Sequence, residues 1–185
     1  MPDAFHRNYT LLNSFLEELE AHSSCRFTHS DFTRKFMGKF NMSIYFQLRL
    51  QSIVPRFENL LSNHSSQNLD SATHIPVVCS ALLEKVHLTS SRALLVSLYS
   101  CFETGTFLTS LSNEFVSLSA RLIRRFICWC QNFTDSATAA LTLLQDLTIL
   151  KGIIDSHLSQ HVVQFVRLSL RVKLSRSGLY PHSFL

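Results

Sequence analysis

His157 and His161 stand four residues apart. On a helix they would share a face, the spacing from which zinc sites are built. A zinc site needs a third ligand and, for catalysis, usually a helical glutamate. Leu158, Ser159 and Gln160 intervene instead, and His161 falls on an apolar stripe, so the pair reads as surface or packed histidines. Cys128-Trp129-Cys130 offers two thiols. Two helical steps of about 100° turn them roughly 200° apart, which is poor for joint ligation. Both read as small hydrophobes. Nucleophilic catalysis calls for a serine or cysteine on a sharp turn, and no Gly-x-Ser-x-Gly occurs, nor any Gly-rich phosphate loop. Glu17, Glu18 and Glu20 form a solvated helix edge. No catalytic residue, metal or cofactor is expected, and no small-molecule substrate.

Two groups of arginines remain. Arg121, Arg124 and Arg125 lie on a segment that also carries Phe126 and Trp129. They read either as a solvated edge that buries its alkyl stems or as an interface, since arginine beside aromatics is enriched in binding hot spots. If Phe115, Phe126 and Trp129 pack inward, the arginines flank that stripe, outward and available. Trp129→Ala should then cost about 3–5 kcal/mol if the ring is core. After Asp155 no acidic residue follows, while Arg167, Arg171, Lys173 and Arg176 do. These complement a helix C-terminus or form a patch for acidic partners or anionic lipid heads. Arg121, Arg124, Arg125, Arg167 and Arg171 are therefore the candidate interface residues. Nucleic-acid binding is rejected, since no stacking motif or zinc spacing accompanies the basic residues.

The elements that would position these residues are helices. Phe5, Tyr9, Leu12, Leu16 and Leu19 step by four and three along one helical face. Asp3 is expected to cap that helix, and a loop to run from His22 to Phe27. A short amphipathic piece carries Phe32, Phe36 and Phe40, weakened by Gly38. Asn41 is a good N-cap for a helix with the stripe Phe46, Leu50, Ile53, Phe57 and Leu60. Pro55 lies inside it and predicts a kink or a break into two pieces. Residues 62–73 are polar and read as a flexible loop. Helices are predicted from about Ile75 to Val86, from about Ser90 to Phe102 and, after Gly105, from about Thr106 to Phe133. This last one carries Leu111, Phe115, Leu118, Leu122, Phe126 and Trp129 on one face. A final helix begins after Asp135 and runs towards Lys173, with Leu143, Leu147, Leu150, Ile154, Leu158, His161, Phe165, Leu168 and Val172 stepping by three or four, as one long rod or two packed helices, with a bend at Gly152. Residues 1–174 read as one helical region and 175–185 as a frayed tail. The fold class is all-α, an elongated bundle or rod of about five to seven helices with no strand.

Composition agrees. The 185 residues are 46% hydrophobic and only 16% charged, with a net charge of +4. Glycine and proline number four each, where average usage gives about 13 and 9. That deficit disfavours turn-rich β folds. Serine fills much of the charge gap, and a low-charge surface suits a chain that buries part of itself against partners. Five scattered cysteines do not look like a disulfide framework. Met1-Pro2-Asp3 opens no secretory signal pattern, and no apolar run of about 18 residues occurs. A reducing, cytosolic setting is expected. The sequons at Asn8, Asn41, Asn63 and Asn132 are expected to be chance.

Three blocks carry a resemblance. Pro2-Asp3-Ala4-Phe5-His6-Arg7-Asn8-Tyr9-Thr10 is similar to the Pro-Asp-x-Phe-x-x-x-Tyr opening of the C-terminal region of subunit 2 of the conserved oligomeric Golgi complex. Phe36 to Leu50, with Tyr45-Phe46-Gln47-x-Arg49 as its most specific part, resembles that family's Lys-Trp-Asn-Leu-Pro-Val-Tyr-Phe-Gln-x-Arg-Phe. Cys101-Phe102, Phe107-Leu108 and Arg125-Phe126 look like its Cys-Trp, Phe-Leu-Pro-x-Leu and Ala-Arg-Tyr pattern. The resemblance covers roughly residues 2–133, with a weaker echo over 141–173 and none in the tail from Ser175. Phe40 and Phe102 stand where the family has tryptophan, Ser43 and Thr109 where it has proline, and Val116 at another tryptophan. The family's N-terminal coiled-coil half is not in this chain, which looks like a fragment of a longer subunit.

What the resemblance implies is a non-enzymatic tether component, peripheral on the cytoplasmic face of the Golgi membrane. Its partners would be the other subunits of that complex, in retrograde intra-Golgi vesicle traffic. The alternative is a stand-alone helical module that binds anionic lipid through its basic C-terminal helix.

Overall fold

In the computed structural model, the structure describes residues 1–23, 30–62, 82–132 and 138–156. Those residues form helices and their connections, with no strand among them. The order is α1 (Pro2–His22), α2 (Asp31–Met37), α3 (Met42–Ser62), α4 (Thr89–Phe102), a 3-10 turn (Thr109–Leu111), α5 (Ser112–Gln131) and α6 (residues 138–156). The all-α expectation holds.

Helix starts follow local chemistry where a capping residue is present. Ser30 accepts the Thr33 N–H at 3.1 Å and opens α2. Asn41 accepts the Ile44 N–H at 3.0 Å and opens α3, as its side chain predicts. Asp3 does not cap α1. Pro2 sits in the first turn, Met1 is the N-cap, and Asp3 turns to Arg49 of α3 instead. His22 closes α1 rather than opening a loop.

The core lies between α3, α4, α5 and α6. Tyr45, Phe57, Leu61, Leu94, Leu95, Phe115, Phe126 and Leu150 are all but inaccessible. The stripe predicted for α5 is buried: Leu111 at the end of the 3-10 turn, then Phe115, Leu118, Leu122 and Phe126 of α5, with Trp129 half-buried at its end. On α6, Leu143 and Leu150 are buried, with Leu147 and Ile154 packed beside them. The stripe of α3 is broader than predicted. Ile53 and Phe57 are buried, but so are Tyr45 and Leu61, while Phe46 and Leu60 are only partly covered. In α1 no residue is fully buried; Phe5 and Tyr9 pack against the core from its edge. Phe32 and Phe36 of α2 stack on each other yet remain exposed.

Two further boundaries differ from expectation. α5 starts at Ser112, not near Thr106, because residues 103–108 are taken up by a non-helical connection tied to α1 and α3. The helix expected to end at Val86 stops at residue 83, and Val86 lies in the turn that leads into α4. The rest of that helix, the loop read over 62–73 beyond Ser62, and the segment after 156 lie outside the described residues. So does the tail from 175.

Pro55 does not break α3, which is helical from Met42 through Ser62. Its missing donor would have met the carbonyl of Gln51. Both residues lie on the exposed side, so the carbonyl left without that donor is on the solvent face of the helix, where a proline is tolerated best. Gly152 likewise does not interrupt α6. Pro55→Ala should therefore gain less than about 1 kcal/mol in denaturant unfolding. The full ~3 kcal/mol of an interior proline would mean a straight, strained helix.

Candidate functional site

The start of α1, the start of α3 and the connection between α4 and α5 meet at one point. Tyr45 and Arg49 are one helical turn apart on α3, so their side chains lie on the same face. The Tyr45 hydroxyl donates to the Thr106 carbonyl at 2.6 Å and accepts from Arg49 Nε at 3.0 Å. Arg49 Nη2 donates to the Gly105 carbonyl at 2.7 Å and to Asp3 Oδ1 at 2.8 Å. His6 Nε2 lies 3.0 Å from the Phe107 carbonyl. Three successive carbonyls are thus held by side chains from two helices. Residues 103–108 are not helical, so side chains supply partners that a helix ladder would otherwise provide.

Aromatic rings close the junction. Phe5 stacks on Tyr45 with centroids 4.9 Å apart, and meets Phe40 edge-on at 5.4 Å. The Arg49 guanidinium lies 5.2 Å above the Tyr45 ring. Phe115 receives Phe46 edge-on at 5.4 Å and Phe107 at 5.8 Å. Burial pushes the Tyr45 phenol up from its ordinary range, only partly offset by Arg49. It therefore remains a protonated donor at neutral pH.

Apolar periodicity does not register this junction. Its polar partners, Tyr45 and Arg49, share a face that the stripe through Phe46 and Leu50 passes by. The signal that could find them is the block similarity: Asp3 and Phe5 belong to the first block, Phe40, Tyr45 and Arg49 to the second, and Phe107 to the third. Residues far apart in the chain and similar to one family's blocks are in direct contact.

Behind the junction a cavity of about 580 Å3 opens between α1, α3 and α4. Arg7, Arg49, Arg56 and Glu103 are among its walls. A second polar feature lies at the far end of α4. Asp146 of α6 is fully buried and accepts the N–H groups of His87 at 2.9 Å and Leu88 at 2.8 Å, with His87 Nδ1 at 3.1 Å. Leu88 is the N-cap of α4 and has no capping side chain. A carboxylate from another helix does that work and sits at the positive end of the α4 dipole.

The sequence-predicted residues are dispersed. Arg121 and Arg124 are exposed on α5, as expected. Arg125 is exposed too, but its guanidinium grips Glu58 of α3 at 2.9 and 3.0 Å. The eleven-residue step from Phe115 turns Phe126 inward, and Arg125 then reaches sideways across the α3–α5 seam. Arg121 borders a groove of about 220 Å3 with Phe46, Asn113 and Glu114. Arg167, Arg171, His157 and His161 lie outside the described residues. Cys128 is exposed and Cys130 half-buried. Burial pushes the Cys130 thiol up to about 11 and the Cys101 thiol up to about 12. Among the described residues no three His, Cys, Asp or Glu side chains are grouped to hold a metal. No described helix is long and apolar enough to cross a membrane.

Residues 38–178 match the family described as "COG complex component, COG2, C-terminal". The chain belongs to this family. The family match extends through α6, where the sequence blocks gave only an echo, and begins after the Pro2–Thr10 block. Curated relatives agree. "Conserved oligomeric Golgi complex subunit 2" of Arabidopsis thaliana is 26% identical over 136 residues, covering 69% of this chain and 17% of the relative. The Dictyostelium discoideum protein of the same name is 26% identical over 137 residues, covering 68% and 15%. The chain thus spans about one sixth of the length of these relatives. No solved structure matches.

Trp129 tests the division between core and surface on α5. It stacks on Phe126 at 5.7 Å but is only half-buried. Trp129→Ala should cost about 2 kcal/mol, below the 3–5 kcal/mol of a fully buried ring. Arg121→Ser with Arg124→Ser should cost under about 1 kcal/mol. Thermal unfolding of both variants checks the order. An arginine variant that unfolds as early as the tryptophan variant would make those residues structural.

Proposed function

We propose that the chain acts as a non-enzymatic part of subunit 2 of the conserved oligomeric Golgi complex. In this reading it works at the cytoplasmic face of the Golgi membrane, in retrograde intra-Golgi vesicle tethering, with the sister subunits as partners. The family match over residues 38–178 carries the reading. The junction supports it: Asp3, Tyr45 and Arg49 are engaged in fixing one another and backbone carbonyls, as suits a scaffold. Residues 1–174 act as one helical unit, a division supported by the shared core from Tyr45 to Leu150. Within that unit, Arg121 and Arg124 form the contact with a sister subunit, both being exposed on α5 and Arg121 bordering the groove at Phe46.

Affinity purification of the tagged full chain from cells, with sister subunits identified by mass spectrometry, tests the assembly. Recovery of several sister subunits and co-localisation with a Golgi marker is the expected result. A folded chain that recovers none of them overturns the reading. The Arg121→Ser, Arg124→Ser chain should fold and lose part of that recovery; full recovery assigns the contact elsewhere.

A further inference from the structure

We propose that the cavity between α1, α3 and α4 binds a phosphate-bearing ligand. Arg56 is on its wall, one helical face along from Arg49 and Ile53. The Nε and Nη2 atoms of Arg56 are shielded from water and have no hydrogen-bond partner. Leaving guanidinium donors enclosed and unmatched costs free energy that an anion can recover. Burial also pushes the Arg56 guanidinium below its ordinary value, the direction expected where desolvation is left uncompensated.

The rest of the lining suits an oxyanion. Arg7 enters from α1 and is exposed, and Ser100 of α4 is half-buried on the opposite side. Asp3 is committed to Arg49. Counting Arg7, Arg49 and Arg56 against Asp3 and Glu103, the lining remains positive. A carboxylate has two oxygens and is satisfied by one guanidinium fork. A phosphate carries more charge and more acceptors, which suits arginines supplied by two different helices. The volume of about 580 Å3 exceeds a single phosphate and lies within the range of small-molecule sites. Binding turns the Arg56 guanidinium from its enclosed position towards the cavity.

The site is separate from the assembly reading and can fail without it. Calorimetric titration of the full chain with inorganic phosphate, inositol trisphosphate and acetate tests it, alongside flotation with phosphatidylcholine vesicles with and without a phosphoinositide. Saturable binding of a phosphate probe is expected, with acetate weaker. Arg56→Gln should weaken it about tenfold or more, the loss of a charged hydrogen bond. Arg7→Gln, at an exposed position, should also weaken it and decides the matter if Arg56→Gln does not fold. Binding of the trisphosphate together with phosphoinositide vesicles identifies a lipid headgroup, and binding of phosphate alone a free ion; both uphold the site. No saturable binding of any phosphate probe overturns it. So does acetate binding as tightly as phosphate, or affinity unchanged in both variants.

Discussion

Arg49→Ala is expected to lower stability by about 3 kcal/mol. Only 12% of the Arg49 side chain is exposed. Its bonds to Tyr45 Oη and the Gly105 carbonyl are charge-assisted, a class in which each contributes about 1.5–3 kcal/mol. Removing the guanidinium takes from the Gly105 carbonyl a partner that α3 alone supplies, and loosens the tyrosine that holds Thr106. The bond to Asp3 adds little, because the Asp3 side chain is 84% exposed; Asp3→Asn should shift stability by less than about 0.5 kcal/mol. Arg49→Lys keeps the charge but lacks the fork that reaches separate acceptors. It should recover less than half of the loss. Denaturant unfolding of the three variants gives the order, and a loss below about 1 kcal/mol for Arg49→Ala would mean that the 103–108 connection is held by its aromatic packing alone.

Asp146→Ala should be similarly damaging, at about 2–5 kcal/mol, because two backbone N–H groups lose their acceptor at about 1–3 kcal/mol each. The two N–H groups of His87 and Leu88 would lose their acceptor at a position that no capping side chain covers. Asp146→Asn keeps one acceptor oxygen and should fall between. Amide hydrogen exchange supplies a local readout: His87 and Leu88 should exchange much faster in the alanine variant, while Phe115 and Phe126 in α5 lose only what the global change dictates. Protection at His87 and Leu88 unchanged from the parent would refute the capping role. Arg92 holds the Val86 carbonyl of the same turn at 2.7 Å, so the turn should loosen without dissolving.

Helices with a regular apolar step were legible from the sequence. Phe115 to Phe126 in α5 and Leu143 to Leu150 in α6 have their apolar faces where the three-and-four spacing puts them. The cap of α3 by Asn41 was legible for the same reason: its cause is local. What the sequence did not disclose was tertiary substitution for local signals. The entry to α4 reads as an uncapped helix because its acceptor, Asp146, is 58 residues away from Leu88. The start of α5 reads six residues early because nothing in Thr106, Phe107 and Leu108 forbids a helix; Tyr45, Arg49 and His6 bind the carbonyls there. Arg125 read as free because Glu58 lies on another helix. Asp3 looked like a cap, being an acid at the start of a helix, and was drawn to Arg49 instead.

From composition alone, serine in place of charge reads as a property of the surface. In α4 it is a property of the interior: Ser90, Ser91 and Ser97 are buried together with Ala93 and Cys101, and Ser119 of α5 is buried as well. The Ser97 and Ser119 hydroxyls turn back to the carbonyls of Ala93 and Phe115, one turn earlier in their own helices. The Ser97 hydroxyl asks nothing of the neighbouring helix, which meets it only as a small volume, whereas Ser119 also meets the Cys101 thiol of α4. Substitution at Ser97 is therefore constrained by size rather than by polarity. Exchange among serine, alanine and cysteine should pass almost unnoticed at Ser97, whereas at Cys101 or Ser119 it also changes the thiol–hydroxyl contact between α4 and α5; a single leucine at any of the three would force the helices apart. A chain can change most of its letters under such a rule and keep its shape.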